Sequence, residues 1–370
     1  MRPLLALAII AMLTACGRAQ SEPQPVFHNT APNTLSEWGM LQIDDGTLRI
    51  ANSVTAYDLA TPLFSDYALK LRTIWIANDG VASFSENGAL SFPDGTVVTK
   101  TFFYRKPASA WQNDVVEHAS TTITTEIDLS DFQLIETRLL IKQAGSWEAL
   151  SYVWDGAQTN AVLKRTGELK RLTLSRKNGE REDFVYAVPN INQCASCHGA
   201  GNAQQIIAPI GLKQRHLNKT SGLAPAFNQL DHWIARGLVA TPRNEMARKA
   251  NADWQDMTMP LAARARAYLD INCSHCHNPH GAADTSGLDL EPDASGPALG
   301  VCKQPIAAGS GSGGLPFDIT PGSPGDSITI FRMQTNDPGA MMPELGRAVE
   351  HIDGTALIAE WITAMEGTCT

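Results

Sequence analysis

The pattern of apolar and polar positions divides this chain of 370 residues into a strand-rich part and a helix-rich part. Within residues 134–142, apolar and charged side chains alternate, as in a strand with one buried face. Two strand-like runs over residues 169–188 flank Asn178 and Gly179, a pair that favours a hairpin with a type I′ turn. Residues 35–188 are therefore predicted to form an antiparallel, sandwich-like β domain.

Apolar residues recur at helical spacing later in the chain. Leu261, Ala265 and Leu269 lie four residues apart and predict a helix. Near the end, a stripe of apolar residues predicts an amphipathic helix with Asp353 as its N-cap. A third apolar face predicts a helix over residues 227–238.

A five-residue pattern, C-x-x-C-H, occurs twice in this second part. Its cysteines and histidine are Cys194, Cys197 and His198 in the first copy and Cys273, Cys276 and His277 in the second. In this pattern the cysteines form thioethers with the vinyl groups of haem, and the histidine is the proximal iron ligand. The chain is therefore predicted to carry two covalently bound haem c groups.

Cysteine pairs also occur in redox dithiols and in zinc ribbons. The two pairs of a ribbon usually lie about 15 to 20 residues apart, whereas 76 positions separate Cys197 from Cys273. A dithiol has no need of His198 or His277. Haem attachment is therefore favoured at both motifs.

The second motif has a candidate for the ligand on the opposite, distal side of the iron. The order of helix, C-x-x-C-H, loops, Met-Pro and helix over residues 256–370 resembles the small monohaem cytochrome c fold. In that fold the distal ligand is a methionine on the loop before the last helix, commonly directly before a proline. The resemblance implies Met342, which precedes Pro343, rather than Met341.

The sequence leaves the distal ligand of the first motif open. No methionine lies between His198 and the helix predicted over residues 227–238, whereas His216 does. Ligation by two histidines is therefore one alternative, a methionine after that helix is another, and an open distal side is a third. The methionines after that helix are Met246, Met257 and Met259.

The first residues have the features of an export signal. A short apolar stretch follows a basic residue, and it is shorter than the roughly 20 residues of an ordinary membrane-spanning helix. Residues 13–16 (LTAC) are similar to a bacterial lipobox. The resemblance implies a signal peptide at residues 1–15, a lipid anchor at Cys16 and a tether over residues 16–34. Gly17 after the cysteine implies an outer-membrane lipoprotein that faces the periplasm or the surface; ordinary cleavage to a soluble product is the alternative.

Composition limits the partners. The formal net charge of −9 provides no basic footprint for nucleic acid, and it favours a redox partner with a basic docking face. Of the seven cysteines, one is assigned to the lipid and four to the haems. The remaining two, Cys302 and Cys369, either pair in an oxidising compartment or remain separate buried thiols.

Segments across nearly the whole mature chain carry a resemblance to one family. They are residues 61–67 (TPLFSDY), 134–140 (LIETRLL), 152–154 (YVW), 188–198 (VPNINQCASCH), 264–277 (RARAYLDINCSHCH), 300–303 (GVCK) and 341–346 (MMPELG). The chain resembles bacterial dihaem c-type cytochromes with an N-terminal β domain, a family of poorly characterised function. The expected fold is multidomain: the β domain at residues 35–188, followed by all-α, cytochrome c-like haem domains at residues 189–255 and 256–370.

Two functions follow as expectations. The first is a relay of single electrons between redox proteins of the periplasm or outer membrane, with a dehydrogenase as a candidate donor. The alternative is a haem enzyme, peroxidase-like or substrate-oxidising, that uses an open-sided first haem. A redox sensor or assembly module is a third reading, and haem count does not separate the three.

Overall fold

The fold is described by a computed structural model over residues 24–85, 89–108, 113–118, 125–200, 206–221, 224–242, 249–306 and 308–370. The predicted signal peptide, Cys16 and Met246 lie outside the described residues. Their predicted roles therefore stay predictions.

Fourteen of the described strands lie before residue 189, and four short ones follow. They are β1 (Leu41–Asp44), β2 (Thr47–Ile50), β3 (Thr55–Tyr57), β4 (Leu69–Ile76), β5 (Ser83–Phe84), β6 (Leu90–Ser91), β7 (Thr96–Arg105), β8 (Asp114–Val116), β9 (Glu126–Asp128), β10 (Phe132–Gln143), β11 (Ser146–Trp154), β12 (Ala161–Leu163), β13 (Glu168–Ser175), β14 (Arg181–Val188), β15 (Gly199–Ala200), β16 (Ile206–Ile207), β17 (Thr220–Ser221) and β18 (Ala224–Asn228).

The α-helices of the described part all lie after residue 190. They are α1 (Ile191–His198), α2 (Gln214–Leu217), α3 (Gln229–Ala235), α4 (Leu261–Asn272), α5 (Gly296–Leu299), α6 (Ile328–Gln334) and α7 (Ile352–Thr363). Short 3₁₀ turns cover Leu35–Trp38, Ala77–Asp79, Asp284–Ser286, Gly309–Ser312 and Pro324–Asp326. No helix in the described ranges is long and apolar enough to cross a membrane.

One curled sheet of nine strands, a half-barrel, organises the molecule. Its path runs β12-β11-β10-β7-β8-β13-β14, with β4 also on β7 and β3 on β4. The pairs are antiparallel except for the parallel pair of β8 with β13. Alternation along β10 places Leu139 and Ile141 in a core on one face, while Leu140 faces a second core on the other. The three-stranded sheet β1-β2-β9 covers the first of these cores.

The second core joins the sheet to the part that follows residue 189. Ile74 and Val98 of the sheet pack with Leu212, Leu217 and Trp233. Backbone hydrogen bonds also cross, including 2.9 Å from the Ala82 nitrogen to the Leu238 oxygen and 3.0 Å from the Leu90 nitrogen to the Leu212 oxygen. Because burying each large apolar side chain contributes about 1.5–3 kcal/mol, this shared core holds the sheet and residues 210–239 together.

A separate core forms around α4, α6 and α7. Leu269 of α4 packs with Leu357 and Ile358 of α7. The last residues are tied back by a disulfide between Cys302 and Cys369, with Cα atoms 5.1 Å apart. This pairing resolves the choice that the cysteine count leaves open.

The predicted fold class is wrong. Only 23% of the structure is helical over the described residues, so the part after residue 189 is not a set of all-α, cytochrome c-like haem domains, and one curled sheet replaces the expected sandwich. Apart from α1, α4 and α7, the described helices have seven residues or fewer. Frequent glycine and proline in residues 278–327 account for the short α5 in that stretch, because both disfavour helix interiors.

Two local predictions also need correction. The hairpin of β13 and β14 forms as expected, but only Gly179 in its loop has a positive φ, 87°, whereas a type I′ turn needs two such residues. The last helix begins at Ile352, so its N-cap is His351 and Asp353 lies inside the first turn.

Candidate functional site

The first C-x-x-C-H motif lies at the end of α1. The Asn190 side chain caps this helix by accepting a 2.9 Å hydrogen bond from the Gln193 backbone nitrogen. In return, the Gln193 side-chain oxygen accepts a 3.0 Å hydrogen bond from the Asn190 backbone nitrogen. Residues three and four apart share a helix face. Cys194, Cys197 and His198 are therefore presented together on one side of α1.

These three side chains line a first cleft between α1 and the large sheet. Its empty space, part of which is open to solvent, is about 1100 Å³. Its wall is mainly aliphatic, with residues from β7, β10 and β11. Three basic side chains interrupt this wall: Arg72, Lys100 and Arg138.

His198 is held in the tautomer that a metal requires. Its Nδ1 lies 2.8 Å from the backbone oxygen of Ala208, which can only accept, so Nδ1 carries the proton. Burial is the largest cause, and the positive charge of Lys100 the second, of a pKa of His198 that is lowered to about 3. The imidazole is thus neutral, and its Nε2 lone pair is available as a ligand.

The second motif follows directly after α4. The helix ends at Asn272. In the tight turn that follows, the His277 nitrogen donates a 2.9 Å hydrogen bond to the Cys273 oxygen. A second cleft of about 1410 Å³, also partly open, is lined by Cys273, Cys276, His277 and Met342. The structure therefore brings together the proximal and distal residues that the sequence assigns to this site.

His277 is oriented by a side chain instead of a carbonyl. Its Nδ1 lies 3.0 Å from the Ser286 hydroxyl, and that hydroxyl donates its own proton to the Ala283 oxygen at 2.7 Å. Ser286 must then accept from Nδ1, which leaves Nε2 free for a metal. Burial lowers the pKa of His277 to about 4, so this ring is also neutral.

Met342 lies on the loop before α7. Its backbone nitrogen donates to the Arg332 oxygen at 2.8 Å, which fixes the loop against α6. Met342 contributes to the wall of the second cleft, whereas Met341 is absent from the described lining. This placement favours Met342 over its neighbour as the residue opposite His277.

His216, Met257 and Met259, which the sequence offers as distal ligands of the first haem, do not line the first cleft. His216 is buried beside Asp270, with 3.6 Å from its Nε2 to the carboxylate, and burial lowers its pKa to about 4. Met257 and Met259 are exposed at the surface. Among the described residues that line the first cleft, His198 is the single histidine and no methionine is present.

The two clefts share a wall. Cys197 of the first motif and Leu345 of the loop after Met342 line both of them. His275, inside the second motif, is half-buried on the second cleft, and its buried Nδ1 has no hydrogen-bond partner among the described residues. Two groups held by the two motifs would therefore be direct neighbours.

Sequence reasoning missed the basic residues of the sheet. The alternation in residues 134–142 suggests that the charged positions face solvent, yet Glu136 is fully buried and accepts two hydrogen bonds from Arg138, at 2.6 and 3.0 Å. Tyr186 donates a third at 2.7 Å. A glutamate and an arginine two positions apart on one strand face, within a β-rich stretch, were the available signal.

The donor set fits two covalently attached haems. The cysteines of both motifs are free thiols, and each motif histidine, with an unprotonated nitrogen, lines a cleft together with the cysteines of its motif. Within the described ranges, no group of three or more His, Cys, Asp or Glu side chains is placed to hold a metal ion by itself. The clefts thus offer attachment points and axial ligands rather than a closed metal cage.

Comparison with protein-family models, with curated proteins and with solved structures found no match to this chain. The geometry of the two clefts is therefore what supports a function.

Proposed function

We propose that this protein is a dihaem c-type cytochrome that relays single electrons between redox partners. The observation that carries the proposal is the wall shared by the two clefts, where Cys197 of the first motif borders the second cleft. When bound, each haem supplies an iron that takes up or releases one electron. Adjacent attachment sites make the two irons a relay instead of two separate centres.

The chain holds the two groups in different ways. At the second site, His277 and Met342 line one cleft and would be the two protein ligands of a bound haem, a pair that would give its iron a high reduction potential. At the first site, Ala208 fixes the ring of His198. The second site is therefore the better candidate for the high-potential end of the relay.

The wider context is also a proposal. A net charge of −9 favours a redox partner with a basic face, and a dehydrogenase is a candidate donor. Lipidation at Cys16 would hold the relay at the outer membrane, facing the periplasm or the surface. Membership in the family of bacterial dihaem cytochromes is supported by the two motifs and by the placement of Met342.

A second candidate function is a haem enzyme that acts at the first site. It is favoured by one observation: among the described residues, the lining of the first cleft contains no histidine besides His198 and no methionine. An iron without a second protein ligand could bind peroxide or an oxidisable substrate.

Carbon monoxide added to the reduced protein separates the two functions. The relay predicts no rapid binding at the second haem, where Met342 would be the second ligand, and no turnover of peroxide at the first. A Met342→Ala variant is the positive control, since its second haem should bind carbon monoxide quickly. Rapid binding to one haem of the native protein, with turnover of peroxide, would contradict the relay and support the enzyme.

A further inference from the structure

Three basic side chains lie side by side across the centre of the large sheet. In the strand register, Arg72 of β4 is opposite Lys100 of β7, and Lys100 is opposite Arg138 of β10. Directly opposite residues have Cβ atoms about 4.5–5.5 Å apart, and like charges in such positions destabilise a sheet. This row therefore calls for a compensating partner.

The same row lies above a buried aromatic ring. Phe102 is fully buried, and its ring centre is 4.4 Å from the Arg138 guanidinium, 5.2 Å from the Lys100 ammonium and 5.6 Å from the Lys70 ammonium. Cation–π contacts of this kind offset part of the repulsion. They supply no negative charge.

The carboxylates nearby do not balance these cations. Arg72 pairs with Asp58 at 3.0 Å, but Asp58 is shared with Lys219. Glu136 forms an ion pair with Arg138 at 2.6 Å. Of the described carboxylates, none lies within 4.0 Å of Lys70 or Lys100. Burial, and then the charge of Arg138, lowers the pKa of Lys100 to about 7.

The row faces the first cleft. Arg72, Lys100 and Arg138 all contribute to the wall that also holds Cys194, Cys197 and His198. A haem attached there would bring two propionate carboxylates into a cleft whose described lining contains no carboxylate of the protein. Guanidinium groups bind carboxylates through paired hydrogen bonds, and an ammonium adds a point charge.

Resting on the proposed function, we propose that Arg72, Lys100 and Arg138 bind the propionates of the first haem. The large sheet is then one wall of a haem site rather than a separate domain. The propionates would relieve the charge repulsion that remains in the row. The β domain thereby sets the reduction potential of the first haem.

A Lys100→Met substitution tests this assignment in the full chain. A positive charge near the iron favours the reduced state, which carries one positive charge less. Removing it should lower the reduction potential of the first haem by about 59 mV, a tenfold change in the ratio of oxidised to reduced haem for a one-electron couple. Potentiometric titration of both haems measures the shift.

Matched variants assign the effect. Lys142→Met removes a lysine from the neighbouring strand β10, outside the described lining of the cleft, and it should leave both potentials unchanged. Lys100→Arg should restore the native potential. In a Cys273→Ala/Cys276→Ala background only the first haem remains, and the shift caused by Lys100→Met should persist there.

Thermal melting gives a second readout, because Lys100→Met should change Tm in opposite directions with and without the first haem. Without the first haem, in a Cys194→Ala/Cys197→Ala background, Lys100→Met should raise Tm because it removes an unbalanced cation. In the native chain the same substitution should lower Tm.

Two results would overturn the assignment while two haems are still attached. One is an unchanged potential at both haems. The other is a changed low-spin spectrum, which would make Lys100 an iron ligand. A native chain without covalently attached haem would instead overturn the proposed function.

Discussion

Replacing Met342 with histidine is expected to lower the reduction potential of the second haem by on the order of 0.2 V, within the roughly 0.8 V range that axial ligands span. The reason is that thioether ligation raises the potential of haem iron relative to ligation by two imidazoles. Met342 lies with His277 on the second cleft, so the new imidazole would replace the thioether at the same iron. A potentiometric titration that resolves both haems measures the change.

The adjacent residue supplies the control. Met341→His adds the same imidazole one position earlier, where the side chain does not line the described cleft, and it should leave the potential unchanged. If the titration of Met342→His matches the native curve for both haems, Met342 is not the distal ligand.

Replacing Asp270 with alanine is expected to lower the free energy of unfolding by about 1.5–3 kcal/mol, because it removes charge-assisted hydrogen bonds from the half-buried Arg215, which keeps only Glu291, at 3.7 Å, among the described carboxylates. Asp270 is 1% exposed and accepts hydrogen bonds from Arg215 at 2.7 and 2.8 Å and from Asn251 at 2.7 Å. It joins α2 to α4 three residues before Cys273. Denaturant unfolding at pH 7 measures the loss.

The same carboxylate gives this stability a pH dependence. Burial alone would raise the pKa of Asp270, but the hydrogen bonds from Arg215 and the proximity of His216 lower it to about 2, against 3.8 for an ordinary aspartate. Because the folded pKa is depressed, the contribution is present above about pH 4 and is lost as the pH falls toward 2. The alanine variant should lack this part of the acid transition.

Asp293 is a matched surface acid. Its side chain is 85% exposed and pairs with Lys249 at 2.8 Å, and exposed pairs contribute only about 0–1 kcal/mol. Asp293→Ala should therefore unfold almost as the native chain does. An equal loss of stability in both variants would remove the special role given to Asp270.

The parts of the site that the sequence predicts are local. The spacing of Cys194, Cys197 and His198 is written in five consecutive residues, and helix geometry alone puts them on one face of α1. The choice of Met342 depends on the order of helix, C-x-x-C-H, loop, Met-Pro and helix. This order is present in the fold, although the all-α domains expected around it do not form. Cys302 and Cys369 pair, which the cysteine count allows but does not require.

The parts that the sequence does not predict depend on long-range pairing. Lys100 and Arg138 become neighbours only through the register of β7 with β10, and a slip of one residue would turn them to the opposite face. His216 has the sequence position of a ligand, yet Asp270, 54 residues later, draws it into a buried polar network. The shared wall at Cys197 likewise arises from packing between segments that no motif connects.

Intact mass spectrometry of the mature protein, produced in a host that attaches haem c, tests the central claim most directly. Two haem masses should be bound covalently to the native chain, and one to each of the variants Cys194→Ala/Cys197→Ala and Cys273→Ala/Cys276→Ala. Peptide mapping should place one haem on each C-x-x-C-H motif. A native chain that carries no haem, or a single haem, would contradict the dihaem account.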